Sequence, residues 1–352
     1  MRVKVAIVCD QLVHFDLSIS ILEQWLEFFP DAKLFALAHR PGQTSKRVEE
    51  RHIYSSFLSN LVSDQKALSK YSFLFPTAAK SIELPEDTEL VLTLSSGFSH
   101  LVKIPLGAKH LCYFLGESEG VANLSGLGKI FHPFLKKAST RALSEVDTLM
   151  LTSDVEKEKI EKLIHFTRTK VLPPFIDCHD FYPNQDKSLK QSKHFFHIDD
   201  FGTKLAKTLW TTIKEKGEKV CIIGEHIHKV EYQNKHPEME FIGRGCLSSL
   251  NVYLNESKCF WDLSANFKEE GLFHLAKGIP IFATECAENR QWYRREGCVL
   301  YFNENDSFDQ LMTRRENALT ENPPEHFFRK AQRYNLPYHK TILDREIDFW
   351  RV

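Results

Sequence analysis

The sequence predicts an α/β protein made of two successive doubly wound, Rossmann-like domains. The first observation is a repeated order of short apolar runs, polar loops and stretches with helical spacing, which is typical of parallel sheets. This order is clearest in residues 259–311, where apolar runs at 259–263, 278–283 and 297–302 are separated by polar loops. The second observation is the length of 352 residues, which is enough for about two domains.

The first half of the chain contains the first series of strands and helices. Residues 3–9 predict a strand that ends in a loop at 10–15, and the spacing of residues 19–29 predicts a helix that stops before Pro30. Further strands are expected at 32–37, 90–94, 110–115 and 148–152, and further helices at 55–61, 66–75, 129–146 and 154–164, the last with Ser153 as N-cap.

A second series begins at residues 194–198. It continues with a helix at 203–216, strands at 220–224 and 240–242, and a helix at 247–257, whereas 272–277 is too short and polar for a full core helix. Pro173 and Pro174 indicate a linker. We therefore expect a first domain at 1–174, a second at 175–335, and an apolar final helix at 336–352 that packs back on the first domain.

Composition excludes several classes of protein. A formal net charge of −1 argues against a dedicated nucleic-acid binder, and eight cysteines without a Cys-x-x-Cys pair indicate reduced core thiols. We find no metal-ligand spacing, no catalytic Cys or Ser arrangement and no P-loop. The N-terminal run predicts a strand and not a signal peptide, and no apolar run is long enough to cross a bilayer. The expected location is cytoplasmic, with peripheral attachment to the inner membrane face as an alternative.

Seven stretches of the chain carry a resemblance to a known family. They are residues 9–15, 29–37, 105–113, 146–153, 171–177, 241–244 and 276–281. Together with the order of elements, they resemble the sugar-nucleotide-dependent glycosyltransferases of the GT-B fold, particularly family 4 (glycosyl transferases group 1). The resemblance implies two Rossmann-like domains that face each other across a cleft. It also implies a nucleotide-sugar substrate in the second domain, with no metal and no separate cofactor.

The resemblance is weakest in the first domain at the positions that carry chemistry. Where the family has paired glycines near the donor diphosphate, this chain has Asp16 and Leu17. The alternative for these two is that Leu17 packs and Asp16 caps the following helix. The family's histidine position is Ser96 here, which leaves His100 and His14 as catalytic candidates or as ordinary surface histidines.

The phosphate-binding pair of the second domain is also altered. The family uses an arginine and a lysine to bind the diphosphate. Lys204 fits the lysine position, but the arginine position is occupied by Asp199, next to Asp200, which reverses the charge. Lys204 and Arg244 are the phosphate-binding candidates; the alternative for Lys204 is a solvated residue in the first turn of its helix.

The family also has two glutamates around the donor pocket, and this chain lacks a glutamate at the second of these positions. The second of these positions is Phe273 in this chain. Glu270 is the best candidate for the ribose or for transition-state charge, at even odds with a surface role. Further candidates for the nucleoside or sugar are Glu269, Gly271, Glu285 and Glu288.

Two functions remain open from the sequence. One is a glycosyltransferase that transfers a sugar with retention from a nucleotide sugar to a glycan or a lipid-linked acceptor. The other is a catalytically inactive binding or scaffold protein on the same fold. The basic aromatic segment 129–137, with Arg141, indicates either contact with an anionic membrane surface or a packing helix with a solvated face.

Overall fold

The structure is a computed structural model of the full chain. It describes residues 3–13, 17–62, 65–116, 127–164, 168–173, 181–183, 191–224, 233–243, 247–263, 269–286, 289–290 and 299–351. The chain divides into two compact units, one formed by Met1–Pro174 with Lys340–Val352 and the other by Phe175–His339. Each unit is built on one parallel sheet.

The first unit has a seven-stranded parallel sheet in which the first strand is central. Its strands are β1 (Val5–Leu12), β2 (Lys33–His39), β3 (Ile53–Ser55), β4 (Leu90–Ser95), β5 (Lys109–Phe114), β6 (Thr148–Leu151) and β7 (Thr169–Val171). Their order is β3-β2-β1-β4-β5-β6-β7. The helices are α1 (Leu17–Phe28), α2 (Lys46–Glu49), α3 (Gln65–Tyr71), α4 (Phe75–Ser81), α5 (Leu127–Leu143) and α6 (Asp154–Glu161), with short 3₁₀ turns at Phe57–Asn60, Ser72–Leu74 and Ser99–Leu101.

The second unit repeats this plan with six parallel strands. They are β8 (Lys193–His197), β9 (Lys219–Gly224), β10 (Glu240–Gly243), β11 (Ser257–Asp262), β12 (Ile281–Thr284) and β13 (Val299–Phe302), in the order β10-β9-β8-β11-β12-β13. The helices are α7 (Ile198–Phe201), α8 (Lys204–Glu215), α9 (Leu247–Leu254), α10 (Glu269–Ala276), α11 (Phe308–Glu321) and α12 (Pro324–Ala331), with a 3₁₀ turn at Gln332–Tyr334. The final helix, α13 (Leu336–Arg351), begins in this unit and from Lys340 onward belongs to the first unit. The predicted fold class, two doubly wound parallel α/β domains, is confirmed.

Apolar side chains cover both faces of the second sheet. Phe195 and Phe196 are consecutive in β8, so their side chains point to opposite faces and belong to separate buried clusters. Phe260 and Trp261 divide in the same way in β11. Trp261 stacks on Phe282 with ring centroids 4.6 Å apart. Strands buried on both faces appear in the sequence as continuous apolar runs, which is why they were predictable.

The structure corrects three of the predicted elements. Strand β1 extends to Leu12, so Asp10 lies within the strand and not in the loop after it. The helix expected at 66–75 is two helices separated by a 3₁₀ turn, and α4 continues past Pro76 because proline is tolerated in a first turn. Residues 272–277 belong mostly to helix α10, whose Leu272 and Phe273 are buried in the core.

The final helix makes its described polar contacts with the strand region of the first unit. Buried Glu346 of α13 accepts a hydrogen bond from Arg168 Nε at 2.8 Å and lies 3.6 Å from Lys170 Nζ. Leu343 and Ile347 of the same helix are buried. These contacts fix the last helix next to β7. None of the helices in the described part of the chain is both long and apolar enough to span a membrane.

Candidate functional site

Each sheet has one point at which the strand order reverses, and such points are where doubly wound folds bind ligands, beyond the carboxyl ends of the strands. In the first sheet this point lies between β1 and β4, and in the second it lies between β8 and β11. A buried carboxylate occupies each one. Asp10 of β1 is 5% exposed, and Glu270, in the first turn of α10 after β11, is 1% exposed.

Both carboxylate oxygens of Asp10 accept hydrogen bonds from the loop that follows β4. One carboxylate oxygen accepts from the backbone N–H groups of Phe98, at 3.0 Å, and Ser99; the other accepts from the N–H and the hydroxyl of Ser96. Burial raises the pKa of Asp10, and these hydrogen bonds act to lower it. The carboxylate therefore organises the loop at the first reversal point and has little capacity left for a ligand.

His100 is part of the same loop, and it is not a surface histidine, as one alternative from the sequence had it. Its ring is 3% exposed. Nδ1 lies 2.8 Å from the Ser95 hydroxyl, and Nε2 lies 3.1 Å from the backbone oxygen of Ser139 in α5. Burial lowers the pKa of His100 to about 4, so the ring is neutral at pH 7. Both ring nitrogens are occupied by protein groups, so a catalytic role for His100 stays a prediction.

At the second reversal point, Glu270 meets a histidine. His197 ends β8, and its Nε2 lies 3.8 Å from Glu270 Oε1. The other ring nitrogen, Nδ1, accepts a hydrogen bond from the backbone N–H of Asp199 at 3.2 Å. Nε2 is the nitrogen that faces Glu270. The first turn of α10 and the end of β8 thus bring an acid and an imidazole together.

The two aspartates after β8 have different roles. Asp200 is buried and accepts a hydrogen bond from the backbone N–H of Leu263 at 3.2 Å, which ties α7 to the end of β11. Asp200 therefore has a structural role, and its effect on a bound phosphate stays a prediction. Asp199 is half exposed and lies 3.2 Å from His197 Nδ1. Asp199 thus places a carboxylate at the predicted arginine position.

Lys204 begins helix α8 and is exposed. Thr203 caps this helix by accepting a hydrogen bond from the backbone N–H of Ala206 at 3.2 Å. The helix does not start directly after β8, as the sequence predicted, because α7 intervenes. Gly224, at the end of β9, makes room for α7, since a Cβ there would overlap the side chain of Ile198.

Hydrogen bonds of Asn289 connect the segment after β12 to Thr284 of β12 and to Tyr301 of β13. Asn289 is fully buried, and its Nδ2 donates to the backbone oxygen of Thr284 at 3.0 Å and to the hydroxyl of Thr284 at 3.1 Å. The Tyr301 hydroxyl donates to the Asn289 backbone oxygen at 3.1 Å. Glu285, a predicted nucleoside contact, is exposed and forms an ion pair with Arg290.

Helix α10 contains Phe273, the residue at the position where the family has its second glutamate. Phe273 at that position is buried against Phe181, with ring centroids 4.6 Å apart, so it belongs to the core. His274 donates from Nδ1 to the backbone oxygen of Glu270 at 2.7 Å, and burial lowers its pKa to about 4. Gly271 is buried inside the helix, so it is not the loop residue that the sequence suggested.

Several predicted site residues are outside what the structure describes. His14, Asp16, Arg244 and Glu288 lie outside the described residues. Leu17 begins α1 and Glu269 begins α10, and only their backbone is described. Within the described ranges, no group of three or more His, Cys, Asp or Glu side chains is placed to hold a metal ion.

Sequence reasoning missed His197 and Asn289. The strand that ends at His197 was predicted nearly correctly, so a polar residue at its carboxyl end was the available signal. Nothing in the sequence indicated that Glu270 would lie beside it, because that contact requires α10 to begin before Glu270. Among the predicted residues, Glu270 is the one that the structure places at the second reversal point.

Comparison with known proteins identifies the class of fold. No protein-family model matches the chain, and no curated protein matches its sequence. Solved structures match over nearly its whole length. A sucrose-phosphate synthase from Thermosynechococcus elongatus aligns with a TM-score of 0.68 and 13% identity, covering 99% of this chain and 98% of the other. HepE of Anabaena, solved with UDP, aligns with a TM-score of 0.66 and 10% identity, covering 98% and 99%.

A third solved structure also matches nearly the whole chain. WaaG, a glycosyltransferase involved in lipopolysaccharide biosynthesis, aligns with a TM-score of 0.58 and 15% identity, covering 94% of each chain. At these identities the likeness establishes the fold. The chain has the GT-B fold of glycosyltransferases that the sequence resemblance implied.

Proposed function

We propose that this protein is a glycosyltransferase that binds a nucleotide sugar at the carboxyl edge of its second sheet. The transfer would proceed with retention to a glycan or a lipid-linked acceptor. The observation that carries the proposal is the contact of Glu270 with His197 at the strand-order reversal between β8 and β11. In a doubly wound sheet this is the expected position for a nucleotide.

Glu270 supplies hydrogen-bond acceptors for the hydroxyl groups of a ribose. A carboxylate accepts hydrogen bonds from two neighbouring hydroxyl groups, and two such bonds hold a ribose in one orientation. The imidazole of His197 lies beside this carboxylate, with Nε2 3.8 Å from Oε1. UDP and UDP-glucose are bound by HepE, which shares this fold, so uridine nucleotides are the first ligands to test.

The phosphates would rest on Lys204 and on the N-terminal amides of α8. This helix has 12 residues, enough for its N-terminus to carry a useful partial positive charge. Asp199 opposes that charge, so the affinity should depend strongly on Lys204. Arg244 is a second phosphate ligand in the proposal. No metal and no separate cofactor are part of it.

Catalysis in this proposal rests on positioning and on stabilising the departing diphosphate. His100, His14 and the backbone near Asp16 and Leu17 are the first unit's proposed contributions. Glu269, Glu285 and Glu288 remain secondary candidates for the sugar. Peripheral contact of segment 129–137 with a membrane also remains a proposal; within it Phe134 is 73% exposed.

Titration calorimetry of the full chain with UDP, GDP, UDP-glucose and GDP-mannose tests the donor site. We expect one nucleotide diphosphate to bind measurably and its sugar conjugate to bind at the same stoichiometry. Transfer to an acceptor, followed by NMR of the anomeric proton, should then show the donor's own anomeric configuration in the product. A chain that binds none of these ligands is instead a binding or scaffold protein without donor chemistry, which is the alternative reading of the sequence.

A further inference from the structure

The first unit contains a concave surface whose cationic side chains the proposed donor chemistry does not use. It is a groove of about 920 Å³ beside helix α5, within the size range of small-molecule sites. One wall is a stripe of α5 formed by Phe134, Lys137 and Arg141. Their spacing of three and four residues places them on one face of the helix. The other wall is the segment from Leu101 to Ile104, with Lys80 from the end of α4.

The groove is strongly cationic. Lys80, Lys103, Lys137 and Arg141 line it, and they come from three separate segments of the chain. Its single acidic lining residue, Glu145, lies 3.6 Å from Arg141. Among the described residues, no carboxylate lies within 4.0 Å of Lys80, Lys103 or Lys137, whereas many other surface lysines of this protein are paired in that way. Like charges gathered around one hollow repel each other unless an anion lies between them.

The floor of the groove does not supply charge. His110 is buried there, with Nε2 2.9 Å from the Thr93 hydroxyl, and burial lowers its pKa to about 3. His100, whose pKa is about 4, is likewise neutral at pH 7. The positive charge of the groove therefore comes from lysine and arginine alone.

The groove also has an apolar part and a definite place in the fold. Val102, Ile104 and the largely exposed ring of Phe134 contribute apolar surface beside the cations. Lys103 and Glu145 lie on the connections that lead into β5 and β6. The groove thus extends toward the amino ends of these strands, whereas Asp10 and its loop occupy the carboxyl ends. A neighbouring pocket is also lined by Lys80 and Lys103, but Glu83 and Glu86 line it as well. The positive charge is therefore less balanced by carboxylates on the side of the groove that α5 forms.

We propose that this groove, which we call the α5 groove and define by Lys80, Lys103, Lys137 and Arg141, binds the phosphate groups of a ligand that also has an apolar portion. Several cations converging from separate segments suit a diphosphate or two adjacent phosphates. Phe134, Val102 and Ile104 would contact the apolar portion. The site is separate from the proposed donor site, and it does not depend on the protein being a transferase.

Calorimetry of the full chain with inorganic pyrophosphate provides the first test. We expect saturable binding that Lys103→Ala/Lys137→Ala weakens at least about tenfold, since each charged contact is worth several-fold in affinity. The matched control is Lys136→Ala, which removes the same charge from the neighbouring position of α5, outside the groove lining. Lys204→Ala is the second control, because it alters the proposed donor site only.

Co-sedimentation with vesicles distinguishes a lipid headgroup from a soluble phosphate. Binding to phosphatidylcholine vesicles that contain phosphatidic acid, lost in the double variant and displaced by pyrophosphate, would assign the groove to a lipid phosphate. Pyrophosphate binding without vesicle binding would assign it to a soluble ligand. The proposal is overturned if neither probe binds, if Lys136→Ala weakens binding as much as the double variant does, or if Lys204→Ala abolishes pyrophosphate binding.

Discussion

The two strand-order reversals of this protein share a topology and differ in what they do with a buried carboxylate. At the first, Asp10 accepts four hydrogen bonds from the loop after β4. At the second, Glu270 Oε1 lies 3.8 Å from Nε2 of His197. The first carboxylate holds protein backbone. The second lies beside an imidazole in the first turn of helix α10, at the point where doubly wound sheets bind ligands.

The comparison shows that the same topology creates a strand-order reversal in both sheets, and that the residues at each reversal determine whether its carboxylate has a structural or a binding role. In the first unit the loop from Ser96 to Ser99 turns its amides inward onto Asp10, and the Ser139 hydroxyl donates to the Gly97 backbone oxygen at 2.9 Å. In the second unit the backbone N–H of Leu263, which follows β11, donates a hydrogen bond to Asp200. We therefore expect substitutions at Asp10 to affect stability and substitutions at Glu270 to affect binding.

The largest effect should follow from Asp10→Ala. The substitution leaves the backbone N–H groups of Ser96, Phe98 and Ser99 without their acceptor in a buried loop. Each such group costs about 1–3 kcal/mol, so the free energy of unfolding should fall by at least about 3 kcal/mol. Urea denaturation measures this loss. Asp10→Asn keeps one acceptor oxygen and should lose less. Equal stability of all three proteins would mean that Asp10 does not hold the loop.

Acid should destabilise the first unit through its buried histidines. The pKa of His110 is about 3 in the folded protein and about 6.5 when unfolded. Between these values only the unfolded state binds the proton, so stability falls as the pH falls. From pH 6.5 to pH 4 the contribution of His110 should be about 3 kcal/mol, to order of magnitude.

Denaturation at a series of pH values, with wild type and His110→Gln in parallel, isolates this effect. The raised pKa of Asp10 acts in the opposite sense in both proteins and cancels in the difference. The stability advantage of the wild type over the variant should shrink between pH 6.5 and pH 4. Parallel curves would show that His110 takes up its proton without unfolding.

The sequence predicts the scaffold well and the contacts of the site poorly, for a physical reason. Buried parallel strands appear as continuous apolar runs, and Ser153 and Ser307 cap their helices as local chemistry requires. Helix α10 was underestimated because residues 264–270 are polar, although its later residues are core. The contact between His197 and Glu270 joins residues far apart in the sequence, so no local pattern reports it. Likewise, the burial of His100 depends on Ser139 from another element.

The phosphate end of the second site provides the next test of the comparison. Lys204→Ala removes the cation that the proposal places against the diphosphate, while Asp199 remains. A charged hydrogen bond contributes about 1.5–3 kcal/mol, so nucleotide diphosphate binding should weaken at least about tenfold. Lys207→Ala, one turn further along α8 and also exposed, is the matched control and should change little. Calorimetry that finds both variants unchanged would place the phosphates elsewhere.

The smallest effect, and the most direct contrast with Asp10, should come from Glu270→Gln. The amide keeps the size of the side chain and one acceptor oxygen but loses the charge that strengthens hydrogen bonds to ribose hydroxyls. We expect nucleoside diphosphate binding to weaken severalfold, less than in Lys204→Ala, because two neutral donors face the carboxylate in place of a charged phosphate. The 2′-deoxy nucleotide supplies the control, since it lacks one of the hydroxyl groups and should bind wild type and variant more equally. Urea denaturation should show a smaller loss of stability than Asp10→Asn, because Asp10 accepts hydrogen bonds from three backbone N–H groups of one buried loop. A variant that binds nucleotide and deoxynucleotide as the wild type does, but unfolds as easily as Asp10→Asn, would reverse the assignment and make Glu270 the structural carboxylate.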